Sequence, residues 1–298
     1  MIGYLRDRRG GYRRLSERIR LYDEARRLQG LGLSRARIGR TLGVAQSQIG
    51  DWLVRGVRPR RDRYDPDLAP GPDLSYLIGF WLGDGRNAGQ QKKVRFKLAD
   101  KEQILHVNRI LARLLGREPK PILMDGTFYT IDYDTSVLYD YISQPLKRLE
   151  QCIQFFKADF LRGFFDAEGY VSCYVDASGK RLGGLIIGAA NTNLEYLRIV
   201  RNHLARLGIK SSIRRTNRRG ESMTIRGNTW VRKHDVCHLI IRRQGSIKKF
   251  FVRVGFRNRA KQGKLGDLIS LLSLPQRQRY DWFVNHYAKR GRRWYKTA

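Results

Sequence analysis

The chain has 298 residues, with 60 Lys and Arg against 27 Asp and Glu, and a formal net charge of +33. Such a surplus is best explained by a polyanionic partner, with nucleic acid as the main candidate and an acidic membrane as the alternative. Because 41% of the residues are hydrophobic and no apolar run reaches the ~18 residues of a membrane span, the composition argues against both disorder and membrane insertion.

The N-terminal region, residues 1–63, predicts a small helical domain. Apolar residues at helical spacing predict a helix over 15–28 and a second helix after Ser34, a good N-cap residue. Gly43 then turns the chain into a third helix over about 45–53. This pattern is typical of a helix-turn-helix, whose last helix would read DNA with Gln46, Ser47 and Gln48. The alternative is a three-helix packing module without contacts to a DNA groove.

An internal repeat follows this domain. The apolar run LIGFWLGDG over 77–85 returns 84 residues later as LRGFFDAEG over 161–169. A strand of alternating residues, a helix and further strands follow each run. Two copies of this size predict a pseudo-dimeric domain rather than a solenoid. The predicted divisions are 64–72 for a linker, 73–156 and 157–272 for the two repeats, and 273–298 for a basic, aromatic tail.

Each repeated run is apolar on nearly all sides, so as a helix it should be buried. Small residues four apart in both runs would let the two helices approach closely. These expected interface residues are Gly79, Gly83, Gly163 and Ala167. If the helices pair, Asp84 and Glu168 end them side by side. Gly85 and Gly169, which come next, suit the left-handed position that often follows a helix.

Two neighbouring carboxylates at helix C-termini are electrostatically unfavourable unless a cation lies between them. Oxygen ligands completed by water suit Mg²⁺, with Mn²⁺ as a substitute. Together with a basic strand surface, this arrangement indicates metal-assisted hydrolysis of a phosphodiester. The alternative is a pair of ordinary helix-terminal acids that are neutralised by arginines.

The two runs resemble the motif of the LAGLIDADG homing endonucleases in their single-chain, two-motif form. They match at the glycines, the apolar positions and the final acid, although the first copy has Leu82 where the second has Asp166. The resemblance implies an α+β fold of two αββαββα halves, whose four-stranded sheets form a DNA-binding saddle. It also implies a monomeric, intron-encoded enzyme that makes a Mg²⁺-dependent double-strand break in a long target and leaves short 3′ overhangs.

The same resemblance assigns roles to individual residues. The implied metal ligands are Asp84, Glu168 and the backbone carbonyls of Gly83 and Ala167. Family members also place a basic residue near each metal, for which Lys101 and Lys261 are the candidates. A solvated lysine in a first helical turn is the alternative for Lys101. The matching segment of the second repeat, 190–193, has the sequence Ala-Asn-Thr-Asn and contains no lysine.

Strand faces are the expected DNA contacts, because Arg, Lys, Gln and Asn can read base edges in the major groove. The strand over 93–98 alternates basic and apolar residues, and the strand over 171–175 alternates polar and apolar ones. The candidate contacts are Arg86, Asn87, Gln91, Lys93, Arg95, Lys97, Ser172, Tyr174, Arg181, Arg214 and Arg215. For any one of them, the alternative is an ordinary solvated side chain.

Two other functions are compatible with the same scaffold. One is an RNA maturase that assists splicing by binding intron RNA, and the other is a DNA-binding regulator on an inactivated scaffold. The intact pair of acids favours the nuclease, with double-stranded DNA as its partner and no membrane. The absence of Cys or Ser at the start and of His-Asn at the end disfavours an intein. Three widely spaced cysteines, without a targeting segment, lead us to expect a cytoplasmic, nucleoid-associated protein.

Overall fold

The computed structural model describes residues 15–57, 59, 67–85, 93–175, 182–225, 228–290 and 293–297. These residues form a small helical domain and a larger α+β region, each with its own hydrophobic core. The expected α+β fold class is therefore confirmed. Over the described ranges, every helix is too short or too polar to cross a membrane.

The small domain contains three helices, α1 Leu15–Gly30, α2 Arg35–Leu42 and α3 Gln46–Leu53. Ser34 caps α2 by accepting a hydrogen bond from the backbone N–H of Arg37 at 3.4 Å. Gly43 has a φ of 61°, which glycine adopts without strain, and so allows the tight turn into α3. The three helices enclose a core around Trp52, whose ring lies edge-on to Tyr22.

The first repeat begins with a buried helix and continues into a sheet covered by helices. Its elements are α4 Pro72–Asp84, β1 Lys93–Leu98, α5 Lys101–Leu114, β2 Leu123–Asp125, β3 Phe128–Asp134, α6 Ser136–Ile142 and α7 Leu146–Phe155. The described strands form an antiparallel sheet in the order β1-β3-β2. A tight turn with Gly126 at a φ of 62° joins β2 to β3. A fourth strand preceding β1 would fall within 86–92, outside the described residues.

The second repeat has the same order of elements, with insertions and a C-terminal extension. Its elements are α8 Lys157–Glu168, β4 Gly169–Val175, β5 Leu182–Asn191, α9 Leu194–Arg206, β6 Ser212–Asn217, β7 Ser222–Ile225, β8 Asn228–Val231, β9 Val236–Ile241, α10 Gln244–Arg253, α11 Arg259–Leu271, α12 Gln276–His286, β10 Tyr287–Arg290 and β11 Arg293–Lys296. Its main sheet is antiparallel in the order β4-β5-β9-β6. The β7–β8 ribbon is inserted between β6 and β9, and the β10–β11 hairpin follows α12.

Helices α4 and α8 pack directly against each other and join the two repeats in one continuous core. A Cβ on Gly79 would lie 2.9 Å from the backbone nitrogen of Phe164 and would overlap the carbonyl oxygen of Phe160. A Cβ on Gly163 would lie 3.0 Å from the backbone nitrogen of Phe80 and would overlap the carbonyl oxygen of Tyr76. The absence of side chains at these two positions therefore lets the helix backbones touch.

The expected left-handed conformation of Gly85 and Gly169 is wrong. Both residues are extended, with φ and ψ of −65° and 131° for Gly85 and −78° and 152° for Gly169. Steric crowding explains instead why both positions are glycine. A Cβ on Gly85 would collide with Trp81, and one on Gly169 would lie 2.9 Å from the Cα of Phe165. Each helix therefore ends in a bend that is too tight for a side chain.

Burial of His203 in α9 predicts that acid weakens the fold. Its ring lies edge-on to Phe160 with centroids 5.5 Å apart, and it is 3% exposed. Burial, aided by Arg206, lowers the pKa of His203 from 6.5 to about 4. The unfolded chain therefore binds a proton between those values while the folded chain does not, so stability falls as pH decreases from 6.5 to 4. The lowering corresponds to roughly 3 kcal/mol of unfolding free energy.

The measurement is urea unfolding at pH 7.5 and pH 4.5 for wild type, His203→Gln and His234→Gln, whose histidine is exposed. We expect the loss of stability between the two pH values to be smaller in His203→Gln and unchanged in His234→Gln. Equal losses in all three proteins would contradict the assignment.

Candidate functional site

Asp84 and Glu168 end the two paired helices, α4 and α8. The last turns of these helices touch, because a Cβ on Gly83 would lie 2.6 Å from the Cβ of Ala167 and 2.7 Å from the Cγ of Glu168. Glycine at position 83 leaves the room that the Glu168 side chain occupies. Both acids are half-buried, so the packing brings two carboxylates to one partly desolvated place.

The charge of Glu168 is unfavourable in this place. Burial, followed by the nearby charge of Asp84, raises the pKa of Glu168 from 4.5 to about 7. Asn191, at the end of β5, opposes this shift by donating a hydrogen bond from Nδ2 to Oε1 of Glu168 at 2.8 Å. The charge of Lys261 acts in the same direction. A cation bound beside both carboxylates would therefore relieve an existing repulsion.

Lys261, in the first turn of α11, reaches the tip of α8. Its Nζ donates hydrogen bonds to the carbonyl oxygens of Asp166 at 2.6 Å and Phe165 at 3.3 Å. Burial lowers the pKa of the ammonium, whereas the charges of Asp166, Asp84, Glu168 and Asp100 raise it. Because the C-terminus of a helix is electronegative, this contact stabilises the end of α8. The structure thus places Lys261 in the same cluster of charges as both acids.

Asp166 ties three parts of the larger domain together. It is 3% exposed and accepts hydrogen bonds from the hydroxyl of Tyr76 at 2.7 Å and from the backbone N–H groups of Arg257 at 3.0 Å and Asn258 at 3.2 Å. These contacts fix the segment that leads into α11, and therefore fix Lys261. At the 84-residue offset, the first repeat has Leu82 for Asp166 and the second has Phe160 for Tyr76. The hydrogen bond between Tyr76 and Asp166 therefore has no counterpart in the pseudo-symmetric arrangement, because two apolar residues occupy the corresponding positions.

The Tyr76 hydroxyl is expected to stabilise the fold measurably. Tyr76→Phe removes a hydrogen bond to a buried carboxylate, which should lower the free energy of unfolding by about 2 kcal/mol. Tyr129→Phe is the matched control, because this partly buried tyrosine packs against the same core from β3. It should change stability by less than about 0.5 kcal/mol. Urea unfolding of both variants tests the difference, and equal effects would contradict it.

Lys101 is the first residue of α5, and its side chain is exposed. Its neighbour Asp100 caps α5 and accepts a hydrogen bond from Nδ2 of Asn258 at 2.6 Å. This contact attaches the start of α11 in the second repeat to α5 in the first.

The expected basic face of β1 is a face of mixed charge. Its three cations each pair with an acid from β2 or β3: Lys93 with Asp134 at 3.0 Å, Arg95 with Asp132, and Lys97 with Asp125. The antiparallel register places β3 aspartates directly opposite Lys93 and Arg95. The face therefore presents hydrogen-bond donors and acceptors rather than an excess of positive charge.

The sheet of the second repeat has a different exposed face. Arg214 on β6 is exposed and lies opposite His238 on β9, which shares a hydrogen bond of 2.9 Å with the Tyr170 hydroxyl. Arg215 forms an ion pair with Asp235 at 3.1 Å. Ser172 on β4 is half-buried.

The remaining DNA-contact candidates are split between the N-terminal domain and undescribed segments. In α3, Gln46 and Ser47 are exposed and Gln48 is half-buried. Outside the described residues lie Arg86, Asn87, Gln91 and Arg181, together with the side chain of Tyr174.

The donor set at the helix tips suits a hard divalent cation. No group of three or more His, Cys, Asp and Glu side chains converges anywhere in the described part of the chain. Mg²⁺ does not require one, because it is commonly held by one or two carboxylates with water and substrate phosphates completing its shell. Asp84 and Glu168 are carboxylates of this kind, and burial together with the charge of Asp84 raises the pKa of Glu168.

Sequence reasoning missed two residues of this site, Asn191 and Tyr76. Asn191 lies in the segment noted only for lacking a lysine, yet its amide orients Glu168. The signal for Tyr76 was present, because the repeat offset pairs it with Phe160 and the pair differs by one hydroxyl group. That hydroxyl needs a polar partner in the core, and Asp166 is the acid on the neighbouring helix.

Comparison with known proteins identifies relatives of the chain. A family model described as a LAGLIDADG-like domain matches residues 155–255. An uncharacterized protein of Methanocaldococcus jannaschii, MJ0398, is 30% identical over 241 residues, which are 78% of this chain and 84% of that protein.

Similar solved structures include the homing endonuclease I-DmoI and DUF199/WhiA. A structure of I-DmoI in complex with DNA and Mn has 22% identity and a TM-score of 0.42, and covers 61% of this chain and 96% of its own. Full-length DUF199/WhiA from Thermatoga maritima has 16% identity and a TM-score of 0.44, and covers 74% of this chain and 67% of its own.

Proposed function

Because the chain belongs to the LAGLIDADG family, we propose that it is a site-specific, metal-dependent endonuclease that cuts both strands of a long DNA target. The convergence of Asp84 and Glu168 at the tips of two touching helices carries this proposal. Two carboxylates that disfavour each other's charge suit a divalent cation, and the cation suits a phosphodiester substrate.

Asp84 and Glu168 would hold Mg²⁺, or Mn²⁺ in its place, together with backbone carbonyls at the helix ends. When bound, the metal would supply charge stabilisation for the attacking and leaving oxygens of the phosphodiester. Asn191 holds one oxygen of Glu168 and so orients the other. Lys261 fixes the tip of α8 and adds a positive charge where the negative charges of DNA and protein would meet.

DNA would lie over the exposed faces of the two sheets. Paired Arg and Asp residues on β1 and β3 offer both donors and acceptors, which suits base edges better than phosphates. The exposed Gln46 and Ser47 at the start of α3 would add contacts from the N-terminal domain. The net charge of +33 would provide strong attraction to any duplex.

A single chain would suffice for cleavage, because it contains both acids. We therefore propose a monomer, which size-exclusion chromatography with light scattering would test. An origin within an intron is the other part of this proposal, and sequencing the flanking genomic DNA would decide it. If no splice junctions flank the coding sequence, the proposed intron origin is wrong and the proposed monomer is unaffected.

The decisive experiment finds the target and tests cleavage together. Full-length protein is incubated with a plasmid library of random inserts in MgCl₂ or in EDTA, and new DNA ends are captured and sequenced. We expect breaks in MgCl₂ that share one extended sequence and are absent in EDTA. Binding to the library without any breaks in MgCl₂ or MnCl₂ would overturn the nuclease assignment and favour the regulator.

A further inference from the structure

A basic cavity of about 540 Å³ lies beside the second sheet, away from the paired helices. Four cations from three parts of the chain line it: Arg201 on α9, Lys210 before β6, and Arg242 and Arg243 after β9. Ala205, Ile209 and Ile240 supply an apolar part of the wall. None of the described residues that line the cavity is acidic.

The strand register places the cavity far from the acids. Asn191, which contacts Glu168, pairs with Cys237 near the start of β9. Arg242 lies five residues beyond Cys237, which is roughly 16 Å along the strand. Ile240 alternates with the core residues Leu239 and Ile241, so it shares the outer face with His238. One wall of the cavity therefore continues the face over which we propose that DNA lies.

The charges of this cavity are available to a ligand. All four cations are exposed, and none forms an ion pair with a described residue, in contrast to the paired cations on β1. The hydroxyl of Ser211, another lining residue, is buried and has no hydrogen-bond partner among the described residues. Helix α10 starts directly after Arg243, so its N-terminal N–H groups add positive potential.

We propose that this cavity binds the phosphodiester backbone of the DNA that flanks the cleavage site. Unpaired guanidinium and ammonium groups, a free hydroxyl and a helix N-terminus suit phosphate oxygens, and the apolar wall suits deoxyribose. The cavity is far larger than one phosphate group, which favours a segment of polymer over a single ion. This inference rests on the proposed function, since it deepens the account of how the same DNA is held.

The test uses the full chain, EDTA and a labelled random-sequence duplex of about 30 base pairs, with affinity measured by fluorescence anisotropy over a range of KCl concentrations. Two double variants of the cavity are compared. One combines Arg242→Gln and Arg243→Gln, and the other combines Arg201→Gln and Lys210→Gln. The control is a third double variant, Lys147→Gln combined with Arg148→Gln, which removes two exposed charges from α7. Because each phosphate contact contributes about 0.9 to the slope of log K against log salt, we expect each cavity variant to lower the slope by about 1 to 2 and the control to leave it unchanged.

Two results would overturn the inference: unchanged slopes in both cavity variants, or an equal fall in the control. The library cleavage experiment keeps this failure separate from failure of the proposed function. If breaks occur and slopes do not change, the cavity proposal alone is wrong. If slopes fall and no breaks occur, the cavity binds duplex DNA and the nuclease assignment is wrong.

Discussion

Replacing Asp84 by Asn or Glu168 by Gln is expected to reduce double-strand cleavage roughly 1000-fold or more, because several kcal/mol of charge stabilisation depend on these carboxylates. Binding to DNA should persist in EDTA, since each change removes a negative charge facing a polyanion. The fold should persist as well. The Glu168 carboxylate is destabilised by burial and by Asp84, so an uncharged amide there costs the unfilled site little.

The measurement is time-resolved cleavage of the target recovered from the library, with affinity determined on the same DNA in EDTA. Asp281→Asn provides a matched control, because this acid is exposed on α12 and distant in sequence from both motifs. It should cut at the wild-type rate. Cleavage by Asp84→Asn or Glu168→Gln at more than about a tenth of that rate would contradict the assigned roles.

Gly79→Ala and Gly163→Ala are each expected to destabilise the protein by about 3 kcal/mol or more, the upper range for forcing atoms into a packed core. The new Cβ would overlap a carbonyl oxygen of the partner helix, and backbone cannot move aside as a flexible side chain can. The two helices would have to separate, which would also move Asp84 away from Glu168. Cleavage should therefore fall together with stability.

Gly263→Ala is the matched control for these glycines. Gly263 lies inside α11 and is exposed, and a Cβ there would meet nothing within 4 Å. Alanine should therefore raise the free energy of unfolding by about 0.5–1 kcal/mol through helix propensity alone. Urea unfolding of the three variants measures the contrast. A loss below about 1 kcal/mol in Gly79→Ala and Gly163→Ala would show that the helix contact is looser than described.

Patterns along the chain were sufficient for the two repeated helices, for strand β1 and for the candidate pair of acids. The alternation of Val94, Phe96 and Leu98 with cations predicts β1, because burial of one face requires a period of two. The glycines at 79 and 163 predict a close helix pair, since such apolar helices are stable only when buried. Asp84 and Glu168 follow from the repeat, because identical positions in paired helices occupy the same level.

The partners of these residues required the tertiary structure. The cations on β1 are neutralised by aspartates that come about 30 to 40 residues later, and only the strand register determines which residues face each other. Lys261 reaches the tip of α8 from more than 90 residues away, while Lys101 turns to solvent.

By itself the sequence determined that two similar halves each deliver an acid to the end of a buried helix. This follows because apolar spacing and the absence of a side chain are local properties that each segment carries wherever it lies. Only the tertiary structure decided that Gly85 and Gly169 are needed for steric reasons rather than for a left-handed turn. It also decided that Asn191 and Lys261 oppose the rise in the pKa of Glu168. Contacts of this kind depend on how distant segments pack, and the electrostatic energy of a buried carboxylate is set by whichever groups that packing brings near it.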